Sequence, residues 1–216
     1  MTPAQDLDVC ILAGGHGTRL AGVWDKAKCL VPVGEKGTPL IDVLLRKVFA
    51  LNPRRVLLML GIDAKAREVA RSISYPCFGL QESGRLLLCF DEPAGTVAGL
   101  AAANKKGLMS SKILVLNGDT LPLYNLENFI HNAGWPFMLH SSVAWCHNSN
   151  SYAGAALFDR GTFHWIVSSQ EKDFSFYANQ LFRIECFGPD LYGEAFYDVG
   201  TSNNFHNARN LKEALL

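Results

Sequence analysis

The residues best suited to chemistry cluster early in the chain. Leu12-Ala13-Gly14-Gly15-His16-Gly17-Thr18-Arg19-Leu20 places three glycines and an arginine directly behind a short apolar run. Glycines there leave backbone N–H groups free to close around a phosphate, and a guanidinium beside them adds a planar set of donors. A tight strand-to-helix turn with a solvated arginine would use the same residues, so glycine content alone does not decide. The spacing is neither G-x-G-x-x-G nor G-x-x-x-x-G-K-[ST], which excludes the dinucleotide fingerprint and the P-loop. Two lysines follow, Lys26 and Lys28, and carboxylates stand much later at Asp119 and Asp198. Read alone, Asp119 behind Asn117-Gly118 is equally a turn residue, and Asp198 equally the cap of a last helix. His140 and His147 have no third ligand at metal-site spacing. Trp24, Trp135, Trp145 and Trp165 are not interleaved with Lys or Arg, so they read as packing rather than a base-stacking platform.

Something must hold these residues. Apolar runs over 9–13, 55–60, 85–90 and 113–117 read as strands, the first buried on both faces and closed by the glycines. Between them lie helical patterns. Thr38 is read as an N-cap with Pro39 at the first helical position of a helix to about 51, followed by helices over 63–72 and 96–106. Strand and helix in this rhythm predict a mostly parallel sheet covered on both faces. Two further strands, 137–145 and 152–158, are joined by a polar turn as a hairpin. Helical stretches near 162–170 and 173–180, strands near 181–187 and 196–199, and an amphipathic helix over 202–215 complete the chain. No linker interrupts it, so residues 1–216 are expected to form one α/β domain with a small antiparallel extension in the C-terminal third.

The glycine segment resembles the opening signature of the sugar-1-phosphate nucleotidylyltransferases (NDP-sugar pyrophosphorylases). Ala27-Lys28-Cys29-Leu30-Val31-Pro32-Val33 resembles that family's Pro-Lys-Pro-Leu-Val-Pro-Val block, without the prolines around the lysine. Glu92-Pro93-Ala94-Gly95-Thr96, Leu116-Asn117-Gly118-Asp119 and Tyr197-Asp198-Val199-Gly200-Thr201 resemble three more of its blocks, in the same order. The resemblance implies a Rossmann-like nucleotidyltransferase fold and transfer of NMP from an NTP to a sugar 1-phosphate, releasing pyrophosphate. It implies that Leu12, Ala13, Gly14, Gly15, Gly17 and Thr18 embrace the nucleotide phosphates, with Gly95 and Thr96 against the base. Arg19 would grip the β/γ portion and Lys28 the α-phosphoryl group; Lys28 is preferred to Lys26 because Leu30-Val31-Pro32-Val33 sets the register. Asp119 and Asp198 become a Mg2+ pair. Asn117, Gly118, Gly154, Glu171, Lys172 and Thr201 would face the sugar, with Tyr152 standing where the family has an Asn. The short chain looks most like the heptose-1-phosphate guanylyltransferase type, which favours GTP, although the base depends on contacts near 81–95. The family's role in glycan or surface-polysaccharide synthesis, and its frequent homo-oligomers, come with the same resemblance.

One departure stands out. The family carries a Glu-Lys-Pro lysine before its Asn-Ala-Gly strand, yet residues 120–151 contain no Lys or Arg, only His131, His140 and His147. Two rival readings follow: a nucleotide-binding regulatory module without sugar turnover, or transfer to a non-sugar phosphate such as phosphocholine. Composition sets outer bounds. With 20 Lys+Arg against 20 Asp+Glu the net charge is zero, which argues against nucleic acid as the partner. Cys10, Cys29, Cys77, Cys89, Cys146 and Cys186 show no C-x-x-C pair, so they read as reduced thiols. No signal peptide or membrane-spanning run is apparent, and a cytoplasmic protein is expected.

Overall fold

The apolar runs that read as strands do pair, and they pair in parallel. The structure is a computed structural model that describes residues 6–15, 17–73, 84–91, 95–108, 110–133, 141–146, 149–171, 174–187 and 195–212. In chain order these residues form β1 (Leu7–Leu12), β2 (Pro32–Val33), β3 (Thr38–Pro39), α1 (Leu40–Ala50), β4 (Arg55–Leu60), α2 (Ala64–Ser72) and β5 (Leu86–Phe90). Then come α3 (Thr96–Lys105), β6 (Lys112–Asn117), β7 (Thr120–Pro122), α4 (Leu126–Ala133), β8 (Ser142–Cys146) and β9 (Ser151–Asp159). The chain closes with α5 (Arg160–Ser168), α6 (Phe174–Ala178), β10 (Phe182–Cys186), β11 (Phe196–Asp198) and α7 (Ser202–Asn207).

Seven strands make one sheet in the order β10-β8-β9-β6-β1-β4-β5. β6, β1, β4 and β5 are parallel, in register from Leu12 opposite Asn117 and Met59. β9 runs antiparallel to both β6 and β8, which is the expected hairpin, and β10 runs parallel to β8. Helices α1, α2 and α4 cover one face through Ile41, Val69 and Phe129. The opposite face is covered by α3, α5 and α6 through Leu100, Phe163 and Tyr177. Each such fully buried side chain stabilises the sheet sandwich by about 1.5–3 kcal/mol. From β1 the chain winds outward to β4 and β5, then returns to place β6 on the other side of β1. That reversal opens a crevice at the carboxyl ends of β1 and β6, the position where open α/β sheets bind ligands.

Several expectations are corrected. Thr38 and Pro39 are not a helix cap and first turn. They form β3, paired with Val33 and Pro32 of β2, and Pro39 itself precedes α1 without a side-chain cap. The last helix stops at Asn207, passes through a 3₁₀ turn over Ala208–Asn210, and becomes extended at Leu211. Ala208 explains the stop: its carbonyl accepts from Gly34 N at 3.0 Å, docking this segment on the β2–β3 hairpin. β7 and α4 were not anticipated. The expected strand over 137–145 is seen from Ser142, and its positions 137–140 lie outside the described residues. At the far end of the sheet, fully buried Asp8 is held by the Arg54 guanidinium, with Nε at 3.0 Å, and by the Ser110 amide at 2.9 Å.

Candidate active site

β1 hands its last ladder bond to the loop: Ala13 N donates to Met59 O at 2.9 Å. Gly14 then passes so close to the end of β4 that a Cβ would lie 3.1 Å from Gly61 N. Gly15 is different, because nothing lies within 4 Å of where its Cβ would be. Gly17 takes a left-handed φ of +69°, turning the chain into a 3₁₀ turn at Thr18–Leu20 whose anchor is buried Leu20. The Trp24 indole N–H donates to Ala27 O at 3.0 Å, and its ring packs tilted at 46° against Phe205, 5.4 Å between centroids. A second 3₁₀ turn, Lys28–Leu30, buries Cys29 and Leu30. These anchors leave the Lys28 side chain running back past Gly17, with its Cγ 3.4 Å from that glycine's Cβ position.

The other wall comes from β6. Gly118 N donates to Leu12 O at 2.8 Å, so the turn carrying Asp119 lies against the glycine loop. β7 pairs antiparallel with β11, setting Thr120 opposite Asp198, and Val199 N donates to Asp119 O at 3.0 Å. Two carboxylates distant in sequence thus reach neighbouring strand ends. Lys28 Nζ lies 3.1 Å from Asp119 Oδ2, with only 11% of the lysine side chain exposed. Asp198 Oδ1 accepts from Gly200 N at 2.6 Å. A Cβ on Gly200 would lie 2.8 Å from Asp198 Oδ1 and 3.3 Å from both Lys28 Nζ and Arg19 Nη2. That space is thus bordered by one carboxylate and two cations, with Asp119 joined to it through Lys28; the Asp119 and Asp198 oxygens are the donors a small hard cation would use, since such an ion takes few protein oxygens and completes its shell with water and phosphate. Among the described residues no cluster of three His, Cys, Asp or Glu forms.

The crevice is a cavity of about 350 Å³ lined by Leu12, Ala13, Gly14, Gly15, Lys28, Cys29, Met59, Gly95, Thr96, Gly99, Asn117, Gly118 and Asp119. Ten of these are sequence-predicted site residues. The α3 N-terminus opens into it: Gly95 has φ +119°, and the first-turn amides of a helix lack intrahelical partners. Cys29, Met59 and Gly99 were missed. Gly99 lies four residues after Gly95 on the same helix face, a spacing the sequence displays. Burial pushes the Cys29 thiol up to about 12, with the Asp119 charge acting in the same direction.

Other predicted residues lie elsewhere. Arg19 and Asp198 are brought to the Gly200 side of Lys28, outside the cavity wall, and Thr18 is exposed. Gly154 has φ +78° and its Cβ would meet Thr120 Cγ2 at 2.6 Å, so the position packs behind the Asp119 turn. The Thr201 hydroxyl accepts from Asn204 N at 3.3 Å and caps α7. Glu171 is exposed between α5 and α6, and Lys172 lies outside the described residues. Lys26 is taken up by Glu68 at 2.9 Å on the surface, which separates it from Lys28. Among the described residues the buried Tyr152 hydroxyl has no hydrogen-bond partner, and burial raises its pKa. Cys10, Cys29, Cys89, Cys146 and Cys186 are buried and form no disulfide among the described residues, whereas Cys77 lies outside them. None of the described helices is long and apolar enough to cross a membrane.

Residues 9–135 match the MobA-like NTP transferase domain. The chain belongs to that nucleotidyltransferase family. The match spans the glycine loop, Lys28, the α3 N-terminus and Asp119, and ends before the segment carrying Asp198. The chain is also 37% identical over 127 residues to the bifunctional protein GlmU of Thermodesulfovibrio yellowstonii, covering 57% of this chain and 25% of that protein. It thus spans about a quarter of that curated relative's length. A Yersinia pseudotuberculosis HddC complexed with GMP-PN superposes with TM-score 0.66 at 21% identity, over 94% of this chain and 98% of that one. A putative glucose-1-phosphate thymidylyltransferase from Bacillus anthracis, in complex with a sucrose, gives TM-score 0.71 at 18% identity and 94% coverage of each. At these identities the likeness is one of fold.

Proposed function

We propose that the protein transfers NMP from an NTP, with GTP favoured, to a sugar 1-phosphate, giving an NDP-sugar and pyrophosphate. Family membership supports nucleotidyl transfer, and the two structural neighbours support a sugar-phosphate acceptor by fold-level analogy. The observation that carries the reading is Gly15. The fold has no steric or conformational need for a glycine there, yet it opens into the cavity beside Lys28 and the α3 N-terminus. A missing side chain in open space is what an approaching phosphate requires.

In this reading the Gly14 and Gly15 amides and the first turn of α3 hold the triphosphate, and Gly95, Thr96 and Gly99 leave room for the base. An acceptor phosphate oxygen attacks the α-phosphorus, the bond to the bridging oxygen breaks, and pyrophosphate leaves with the electron pair. Lys28 stabilises charge on the α-phosphoryl oxygens, and Arg19 reaches the leaving pyrophosphate from the Gly200 side. Asp119 and Asp198 would hold Mg2+, which when bound neutralises charge shared between phosphate oxygens. Asn117 and Gly118 line the acceptor side. The heptose-1-phosphate type is the acceptor class we favour, with NDP-sugar supply to glycan or surface polysaccharide as the setting.

The test is pyrophosphate release over a panel of NTPs against sugar 1-phosphates, with phosphocholine and other alcohol phosphates as a second arm. Turnover with a sugar 1-phosphate is expected; turnover only with alcohol phosphates would move the acceptor class. A second reading, nucleotide binding without transfer, is favoured by the absence of Lys and Arg from residues 120–151. Thermal stabilisation by an NTP with Mg2+, and no pyrophosphate from any pair, would establish it.

A further inference from the structure

The Lys28 ammonium already occupies the carboxylate assigned above to a metal. Its Nζ stands 3.1 Å from Asp119 Oδ2, and its stem is packed away so that only 11% of the side chain is exposed. The second Asp119 oxygen faces the Thr120 hydroxyl at 3.4 Å. On the neighbouring strand end, Asp198 Oδ1 is engaged by the Gly200 amide. Arg19 Nη2 lies equally close to the Gly200 cradle, so a second positive charge faces anything that enters it. A divalent cation arriving alone therefore meets two cations and carboxylates whose near oxygens are already hydrogen-bonded. A triphosphate changes this balance, because Lys28 also lines the cavity into which the Gly14 and Gly15 amides open. An ammonium on a flexible stem is a point charge that can pivot between two anions without losing a bidentate geometry.

We propose that Lys28 is the resident counter-ion of Asp119 and a specificity-determining residue. It withholds that carboxylate from free divalent cations and yields it when a triphosphate takes the ammonium, so the metal–nucleotide complex is selected over the metal. This rests on the metal pair of the proposed function, and the experiment separates the two.

Mn2+ binding is followed by electron paramagnetic resonance of the free ion, without nucleotide, in the native protein, Lys28→Met, Lys28→Arg and Lys28→Met combined with Asp119→Asn. Lys28→Met is expected to bind Mn2+ at least tenfold more tightly than the native protein, Lys28→Arg to stay within twofold of it, and the double variant to lose the gain. With nucleotide present the order reverses, Lys28→Met binding the Mn2+–nucleotide complex more weakly than native. An unchanged Mn2+ affinity in Lys28→Met that Asp119→Asn still lowers would overturn the counter-ion proposal and keep the metal pair. A tenfold gain that survives Asp119→Asn would overturn both. Should Lys28→Met fail to fold, as judged by melting, Lys28→Gln takes its place with the same expectations.

Discussion

Changing Gly118 to alanine tests how tightly the cavity is tied to the sheet. The new Cβ would lie 2.8 Å from Leu12 O and from Ala13 Cβ, and 2.9 Å from Ala13 Cα. Ordinary contact begins at 3.4 Å, so 3.4 − 2.8 = 0.6 Å must be opened against strand and loop backbone. No side chain can swing aside to do this, because Leu12 O is also the acceptor for Gly118 N at 2.8 Å. Overpacking of this kind costs about 1–3 kcal/mol, which for a chain of this size lowers the melting temperature by about 2–12 °C. The moving atoms carry Asp119 on one side and Gly14 on the other. Since a misplacement of about 1 Å can cost roughly a hundredfold in rate, turnover should fall at least about tenfold. Gly15→Ala is the matched control, with nothing within 4 Å of the added methyl. It should melt within about 1 °C of the native protein, as surface substitutions do, while nucleotide affinity drops. Melting by calorimetry and pyrophosphate release by a coupled assay read both effects. A Gly118→Ala protein with native melting temperature and native turnover would refute the reasoning.

Three other outcomes follow from particular contacts. Lys28→Ala should lower turnover by about 100–1,000-fold as the loss of a transition-state charge partner, whereas Lys26→Ala, which breaks an exposed pair with Glu68, should cost under about 1 kcal/mol of stability and leave turnover unchanged. Arg54→Met removes the charge partner of the fully buried Asp8 carboxylate and leaves it the Ser110 amide; it should destabilise by about 3 kcal/mol in a denaturant melt without altering KM, since Asp8 sits at the end of the sheet opposite the cavity. Burial raises the Asp159 pKa, but hydrogen bonds from the Thr162 hydroxyl and amide and the Ser141 hydroxyl more than offset this, leaving the carboxyl below 3.8. Its contribution is therefore full above 3.8 and is lost as pH falls through the lower folded value. The melting gap between native and Asp159→Asn should narrow as the pH falls below 3.8, and a gap that widens on acidification would contradict the assignment.

What could be read beforehand and what could not divide along physical lines. β1, β4 and β6 are buried on both faces and the edge strand β5 only in part, yet each appears as a continuous apolar run, and the residues at the carboxyl ends of β1 and β6 fell into place with them. That is why Gly14, Gly15, Asn117, Gly118 and Asp119 meet in one cavity. The β2–β3 hairpin and β7 are two or three residues long, too short for alternation to show. Thr38-Pro39 carries a helix-start signal that the pairing of Val33 with Thr38 overrides. α4 was legible but unread: Leu126, Phe129 and Ala133 repeat on one face, and the Asn125 side chain accepts from Asn128 N at 2.9 Å as a cap. Within the site, Met59 and Cys29 have no chemical signature of their own; only β4's register beside β1 and the 3₁₀ turn after Ala27 bring them to the wall. The position of Arg19 beside Gly200 depends on a β7–β11 ladder that links segments about 80 residues apart.

The central claim is that the glycine-rich turn after β1 and the Lys28 ammonium together receive a triphosphate. Backbone amide NMR during titration with Mg2+ and GTP, then ATP, CTP, UTP and dTTP in turn, tests it most directly. The account predicts saturable shifts at Gly14, Gly15 and Thr96 with at least one nucleotide, with the Gly15→Ala protein folded but unresponsive at the same concentrations. Saturable shifts confined to residues away from the β1–β6 crevice, or an equal response from Gly15→Ala, would contradict it.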